Sequence, residues 1–458
     1  MNHMTDVMDG QGTTLARLSD FALNLAADDI PAPVLERAAL LLLDTLGICI
    51  ASSPMEAGVL ARDAATRLFG AGDPAYAAQM LFDGRTVSLA GAVFAAATQT
   101  DNLDGHDGFN PVKGHVGVVT VPTLAVLAQH LPDLPGRQAL AALVVGYEVA
   151  GRAGMALHNT VSDYHTSGAW NALGVVAMAA RLRGQSPEVL REALGIAEYH
   201  GPRSQMMREI ASPTMLHDGS GWGALAGMSA AIMAESGFTG APAITVEGAG
   251  AAVYWADLGQ VWQTQDQYIK PYPICRWAHA PIDAARELML THDVTHTQIE
   301  KVIIRSFANS IALYPDMPDT TSKAQYSLAF AVSAMLVHGH IGLDQISGDG
   351  LRDENIARLV AATELVVSED HEALFPRHRT ADVDLVLRDG RVLRSGLTHA
   401  RGGTERPFDA SEITKKFTAF AAPAVGESRA SAIRDACLYL TRPDASFRAL
   451  GQLLQDPL

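Results

Sequence analysis

The stretch Pro33–Ile50, PVLERAALLLLDTLGICI, places Val34, Ala38, Leu41, Leu42, Thr45 and Ile48 at three- and four-residue steps. That is the period of one face of an α-helix. The same spacing recurs at Val87–Thr98, Pro122–His130, Arg137–His158, Ser167–Leu182, Pro187–Glu198 and Gly221–Glu235. Several of these runs are followed closely by Gly or Pro, the usual helix stops. Most are apolar nearly all round, as helices inside a large bundle are. The first half of the chain therefore reads as a helical domain.

The pattern changes after Tyr272. Ile299–Phe307 and Glu364–Ser368 read as strands, and Asp382–Gly396 as a hairpin, with Val383, Leu385 and Leu387 alternating toward Asp389-Gly390, a type I′ turn pair. Helices at Pro281–Thr291 and Lys323–His338 lie among the strands, and helical spacing returns at Ser411–Ala421 and Glu427–Leu438. The expectation is a mainly α protein: a disordered N-terminus over 1–12, a large all-α domain over 13–271, a smaller α+β lid over 272–403, and C-terminal helices over 404–458 that rejoin the first domain.

With 458 residues the chain exceeds one ordinary core, which also points to two domains. Hydrophobic residues make up 48% and aromatics only 6%, so the interior is built from Ala, Leu, Val, Ile and Met. A net charge of −16 argues against nucleic acid, which needs a basic footprint, and requires any acidic substrate to meet a local cluster of cations. Three scattered cysteines, none in a CxxC pair, fit a reducing compartment and neither a disulfide framework nor a zinc motif. The N-terminus carries no signal-peptide pattern and the apolar run Ala38–Leu43 is too short to span a bilayer, so a cytoplasmic location without membrane contact is expected.

Against that apolar background, Asp101–His115 (DNLDGHDGFNPVKGH) packs three aspartates and two histidines between Leu89–Ala97 and Val116–Ala128. Charge in an interior segment needs partners, since unpaired burial costs several kcal/mol. Such an island is the signature of an acid/base site. His115, just ahead of a helical run, is placed near a helix N-terminus. For His106 a rival reading is bonding to loop backbone. His165, in DYHTS (163–167), precedes an Ala-rich helix that Thr166 or Ser167 would cap; the alternative is a solvated loop histidine.

Within GPRSQMMREIASPTMLHDGSGWG (201–223), Arg203 and Arg208 are candidate carboxylate clamps and His217 a base or donor, with structural roles as alternatives, above all for Arg208. In KPYPICRWAH (270–279), Lys270, Tyr272, Arg276 and His279 gather where the composition changes; the alternative is a rigid strut. The helix at 325–338, with Tyr326 and Ser327, is the weakest signal. Nucleotide-binding glycine loops, HExxH and GxSxG are absent, which disfavours hydride, phosphoryl and acyl-serine chemistry. Acid/base catalysis on a polycarboxylate, with neither metal nor cofactor, remains.

These segments, in this order, together with LLLDTLGICIAS (41–52) and YSLAFAVSAML (326–336), resemble the MmgE/PrpD family, which includes 2-methylcitrate dehydratase, cis-aconitate decarboxylase and iminodisuccinate epimerase. The resemblance covers most of the chain. It implies an all-α domain with an α+β lid, an active site between them, and a homodimer. Asp101, His115, His165 and Lys270 fall where the family places its active-site Asp, two His and hinge Lys; Arg203, His106, His217, Tyr272 and Arg276 are assigned to substrate binding. The dehydratase and decarboxylase pattern tends to carry a Lys at Thr214 and a Tyr at Phe330. DGHDG (104–108) and PTMLHDGSGWGA (213–224) are more similar to the epimerase side. The expected activity is epimerisation of an iminodisuccinate-like dicarboxylate. The alternatives are a dehydratase or decarboxylase, and a non-catalytic carboxylate-binding protein.

Overall fold

The computed structural model describes residues 2–458, with side chains from Thr13 onward. The expected disordered segment 1–12 lies outside the residues whose side chains are described. Two compact units emerge: Met1–Met206 with Asp218–Gln267 and Ala410–Leu458, and Met207–His217 with Tyr268–Asp409.

The first unit is helical. Helices Leu89–Asp101, Gly117–Leu127, Gly168–Arg183 and Ser220–Glu235 share one core of Val93, Phe94, Val118, Val119, Val175, Ala179, Ala224, Met228 and neighbours. The helix Gly136–Thr160 packs on Gly168–Arg183, and Ala32–Ser52 packs on the distant Ala410–Tyr439. Because so many core residues are Ala and Gly, backbones approach closely. A Cβ on Gly223 would strike the Gly168 carbonyl oxygen at 2.5 Å, so the absence of a side chain there lets the start of helix 220–235 reach the start of helix 168–183. The helix 136–160 is long and apolar enough to cross a membrane by composition, but its apolar window is 94% buried within the fold.

The second unit is built on a five-stranded sheet. Ile299–Ser306 is central, pairing parallel with Thr363–Val367 and antiparallel with Thr380–Leu387, which in turn pairs with Val392–Arg394 and Thr398–His399. Val302, Ile304, Val383 and Leu385 fill its covered face, with helix His279–His292 packed on the 380–387 strand.

Four local expectations are corrected. Helix 117–127 begins before Pro122 and carries it inside; one lost helical bond is outweighed by burial of every residue in that segment. The expected helix 323–338 is two, Thr321–Gln325 and Leu328–His338, because the Ser327 hydroxyl accepts the Phe330 N–H at 3.3 Å and restarts the helix. Gly390 has φ +89° while Asp389 stays out of the left-handed region, so the hairpin closes with a wider turn than type I′. Finally Met207–His217, read as part of the helical domain, groups with the second unit, where the His217 ring lies 5.7 Å from that of Tyr326.

Candidate active site

In the first unit the polar island is interior. Asp101, Asn102, Asp104, His106 and Asp107 are all buried, His106 and Asp107 completely. Asp107 organises the loop. Its carboxylate accepts the Gly117 N–H at 3.0 Å and the Tyr147 hydroxyl at 2.5 Å. Gly117 has to be glycine, since a Cβ would overlap both the Tyr147 oxygen and the Asp107 carboxylate. Burial first, and then the neighbouring Asp44, push the Asp107 carboxyl up to about 7 against the bonds from Tyr147 and Gly117.

The main chain of the same residue sets the state of His115. The Asp107 carbonyl oxygen lies 2.6 Å from His115 Nδ1. A carbonyl only accepts, so Nδ1 carries the proton and in the neutral ring the lone pair is on Nε2. Nε2 in turn is 4.0 Å from the Asp218 carboxylate. The His115 N–H donates to Ser167 Oγ at 3.0 Å, its carbonyl accepts from Asn171 at 2.9 Å, and the Ser167 hydroxyl donates to Asp218 at 2.5 Å. His106 meets the His115 ring edge to face at 4.7 Å, with Nε2 3.6 Å from Asp101. Asp101 also accepts the Ser220 N–H at 3.1 Å. Asp101, His106 and His115 are therefore brought together.

The 163–167 segment is bound to this loop. Tyr164 donates its hydroxyl to the Lys113 carbonyl, and Lys113 Nζ sits 4.4 Å over the Tyr164 ring. Neither expected cap forms on helix 168–183: Ser167 occupies the N-cap position, but its hydroxyl serves Asp218 instead. His165 is buried rather than solvated. Its N–H donates to His158 Nε2 at 3.3 Å with the rings stacked, while its own Nδ1, buried, has no hydrogen-bond partner among the described residues. Burial, then the Lys113 charge, pull His158 down to about 4, so it stays neutral at physiological pH. Arg203 is exposed, with only a 3.9 Å approach to Glu198.

In the second unit Lys270 is completely buried. Two other candidates are tied into the frame. The Tyr272 hydroxyl donates to Asp283 at 2.8 Å and accepts from Arg401 at 3.0 Å; burial and the Asp283 charge raise its pKa. Arg401 completes the triad with N–H and Nε bonds to Asp283 at 2.8 and 3.0 Å. Arg276 donates to the Arg401 carbonyl at 2.8 Å and stacks 4.5 Å over Tyr268; burial lowers its pKa to about 10. His279 donates from Nε2 to the Ile274 carbonyl at 2.8 Å. His217 is buried with φ +45°. Arg208 is exposed on the short helix Met206–Ala211. Thr214 gives both its N–H and hydroxyl to Glu209.

Residues 16–259 match the MmgE/PrpD N-terminal domain, and residues 272–440 match the MmgE/PrpD C-terminal domain. The chain belongs to the MmgE/PrpD family. Among curated relatives of this MmgE/PrpD protein, cis-aconitate decarboxylase-like protein oryM of Aspergillus oryzae is 24% identical over 95% of this chain and 96% of its own length. Cis-aconitate decarboxylase of Aspergillus terreus is 24% identical over 93% of each.

Asp107, Tyr147, Asp218, Asp283 and Arg401 were not singled out from the sequence, and Ser167 was read only as a helix cap. Asp107 and Asp218 had a signal, since each precedes a glycine within a segment already marked. Tyr147 and Arg401 had none: one is a lone phenol in an apolar helix and the other lies far along the chain from its partners.

Proposed function

We propose that this MmgE/PrpD enzyme removes and returns the α-proton of a small polycarboxylate, acting as an epimerase on an iminodisuccinate-like dicarboxylate. The observation that carries the reading is the fixed tautomer of His115, whose Nδ1–H is held by the Asp107 carbonyl so that Nε2 carries the lone pair of the neutral ring. A second buried imidazole, His165, has a ring nitrogen without a partner among the described residues. One imidazole takes the proton from the α-carbon, and the C–H electron pair moves into the adjacent carboxylate as an enolate. The other imidazole delivers a proton to the opposite face. Each such transfer contributes typically ~10²–10⁴-fold. Asp101 positions His106 against His115. Lys270, Arg203 and His217 are assigned to carboxylate recognition. Tyr272 and Arg276, bound to Asp283 and Arg401, support the main chain of the 270–279 segment.

A lyase reading is favoured by the similarity to a cis-aconitate decarboxylase and a cis-aconitate decarboxylase-like protein. In dehydration an imidazole takes the α-proton and the neighbouring hydroxyl leaves as water; in decarboxylation the C–C bond to a carboxylate breaks, carbon dioxide leaves and an imidazole protonates the carbanion. Thr214 and Phe330, standing where the decarboxylase and dehydratase pattern tends to have Lys and Tyr, weigh against it. Proton NMR in deuterated buffer with iminodisuccinate stereoisomers, cis-aconitate and 2-methylcitrate separates the readings. Inversion with solvent deuterium at the α-carbon supports the epimerase; inversion without exchange overturns it. Carbon dioxide release or a new alkene replaces it with the lyase. Turnover that survives both His165→Ala and Lys270→Ala removes these residues from catalysis, whereas carboxylate binding with neither exchange nor turnover favours a binding protein.

A further inference from the structure

The sequence contains no metal motif because its best ligand set is dispersed. His378 precedes the strand Thr380–Leu387, and the antiparallel register Thr380↔His399 sets His399 beside it. The loop after His399 then turns back, with the Arg406 N–H on the Gly403 carbonyl at 3.1 Å, and brings Glu405 to the same point. Glu405 Oε1 is 2.7 Å from His378 Nδ1 and 3.8 Å from His399 Nδ1. One ligand atom from each of the three lies within 4.8 Å of the others. A tetrahedral ion with bonds of about 2.0–2.1 Å holds its ligand atoms roughly 3.3 Å apart. The two Glu405 separations straddle that value and all three lie within 4.8 Å, so side-chain adjustments of about an ångström bring the three ligand atoms to that spacing.

The chemistry of the donors fits a borderline-soft cation. Two imidazoles and one carboxylate carry a single negative charge, and three protein ligands leave a fourth position for water. The side chains are about one-third exposed, His378 31%, His399 31% and Glu405 29%, which gives an ion a way in. Arg276 is close enough to feel the Glu405 charge; it is the cation an incoming ion has to tolerate.

We propose that His378, His399 and Glu405 bind a divalent transition-metal ion of the Zn²⁺ class. The ion takes the place of the Nδ1 proton that His378 donates to Glu405, which passes through solvent to leave the neutral ring protonated on Nε2, and it braces the loop 399–406. That loop carries more than itself. The Arg401 carbonyl holds Arg276, the Arg401 N–H and guanidinium hold Asp283 and Tyr272, and the Gly402 carbonyl accepts the Ile269 N–H at 2.9 Å, next to Lys270. Metal occupancy therefore stiffens the support of the Lys270 segment. The site stands whether or not the epimerase reading does.

The test uses the tag-free full chain, stripped with chelator, with Zn²⁺ followed by calorimetry and Co²⁺ by its visible absorption. Wild type is expected to take up one ion per chain with imidazole–carboxylate Co²⁺ bands, and to gain melting temperature with added Zn²⁺. Glu405→Gln and His399→Ala are expected to weaken binding by at least about tenfold and to lose the thermal gain. His378→Gln serves if His399→Ala fails to fold, which melting in chelator reveals. Wild type that takes up no ion overturns the proposal. So do variants that bind Zn²⁺ and Co²⁺ as wild type does, because the ion is then held elsewhere.

Discussion

His115 Nδ1 and the main-chain oxygen of Asp107 are 2.6 Å apart, and this one contact places the ring proton on Nδ1. Asp107 is eight residues upstream and contributes through its backbone, while its side chain is occupied with Tyr147 and Gly117. The main chain of the loop thus fixes the tautomer of the candidate base.

Replacing His115 with Ala is expected to lower kcat/KM for α-proton exchange by roughly 10²–10⁴-fold, the span of a general base. The backbone bonds to Ser167 and Asn171 survive the change, so the melting temperature should move little. Exchange rates in deuterated buffer alongside a thermal melt check both halves. Activity within a few-fold of wild type would exclude His115 as the base.

Asp107 makes stability depend on pH. Its folded pKa is raised to about 7, chiefly by burial, whereas an unfolded Asp titrates near ~3.9. Below the unfolded value both states are protonated and no penalty exists. Between about 4 and 7 the folded state keeps a proton that the unfolded chain releases, so stability falls as pH rises through that window and levels off above it. Asp107→Asn removes this slope. Its stability relative to wild type should improve between pH 5 and pH 8, by on the order of a few kcal/mol at most. Urea midpoints at the two pH values measure it, and a pH-independent difference would contradict the assignment.

Lys416 donates to Asp44 at 2.6 Å and to the Gly105 carbonyl at 2.7 Å, and both side chains are buried. Lys416→Met strands the Asp44 charge and should cost about 3–5 kcal/mol. Lys416→Met with Asp44→Asn should recover part of that loss, because a neutral amide replaces the stranded charge. Equilibrium urea unfolding of the single and double variants decides it: a double variant no more stable than the single would mean the loss is packing alone.

Gly402 has φ +81°, and a Cβ there would overlap the Ile269 carbonyl oxygen. Gly402→Ala should therefore cost roughly 1–3 kcal/mol. It should also raise KM, because the displaced backbone adjoins Lys270. A melting curve paired with steady-state kinetics tests this, and an unchanged KM would detach the loop from substrate recognition.

Much of this architecture was legible because it rests on short-range signals. Three- and four-residue apolar spacing marked helices 136–160, 168–183 and 220–235, and alternation marked the strands Ile299–Ser306 and Thr380–Leu387. The island at 101–115 stood out because charge inside an apolar run demands partners. Less visible were features settled by distant neighbours. Pro122 sits inside a helix because every residue around it is buried, and the helix restart at Ser327 follows one side-chain bond.

Residue order along the chain was therefore enough to establish a mainly α protein with a smaller α+β portion, and to locate the buried polar segment at 101–115, since periodicity and burial cost act over a few residues. Only the folded arrangement decided which nitrogen of His115 holds its proton, that Ser167 serves Asp218 instead of capping a helix, and that His378, His399 and Glu405 converge. Hydrogen bonds and ligand geometry depend on ångström-scale distances between segments, and those distances come into being when the helices and strands pack.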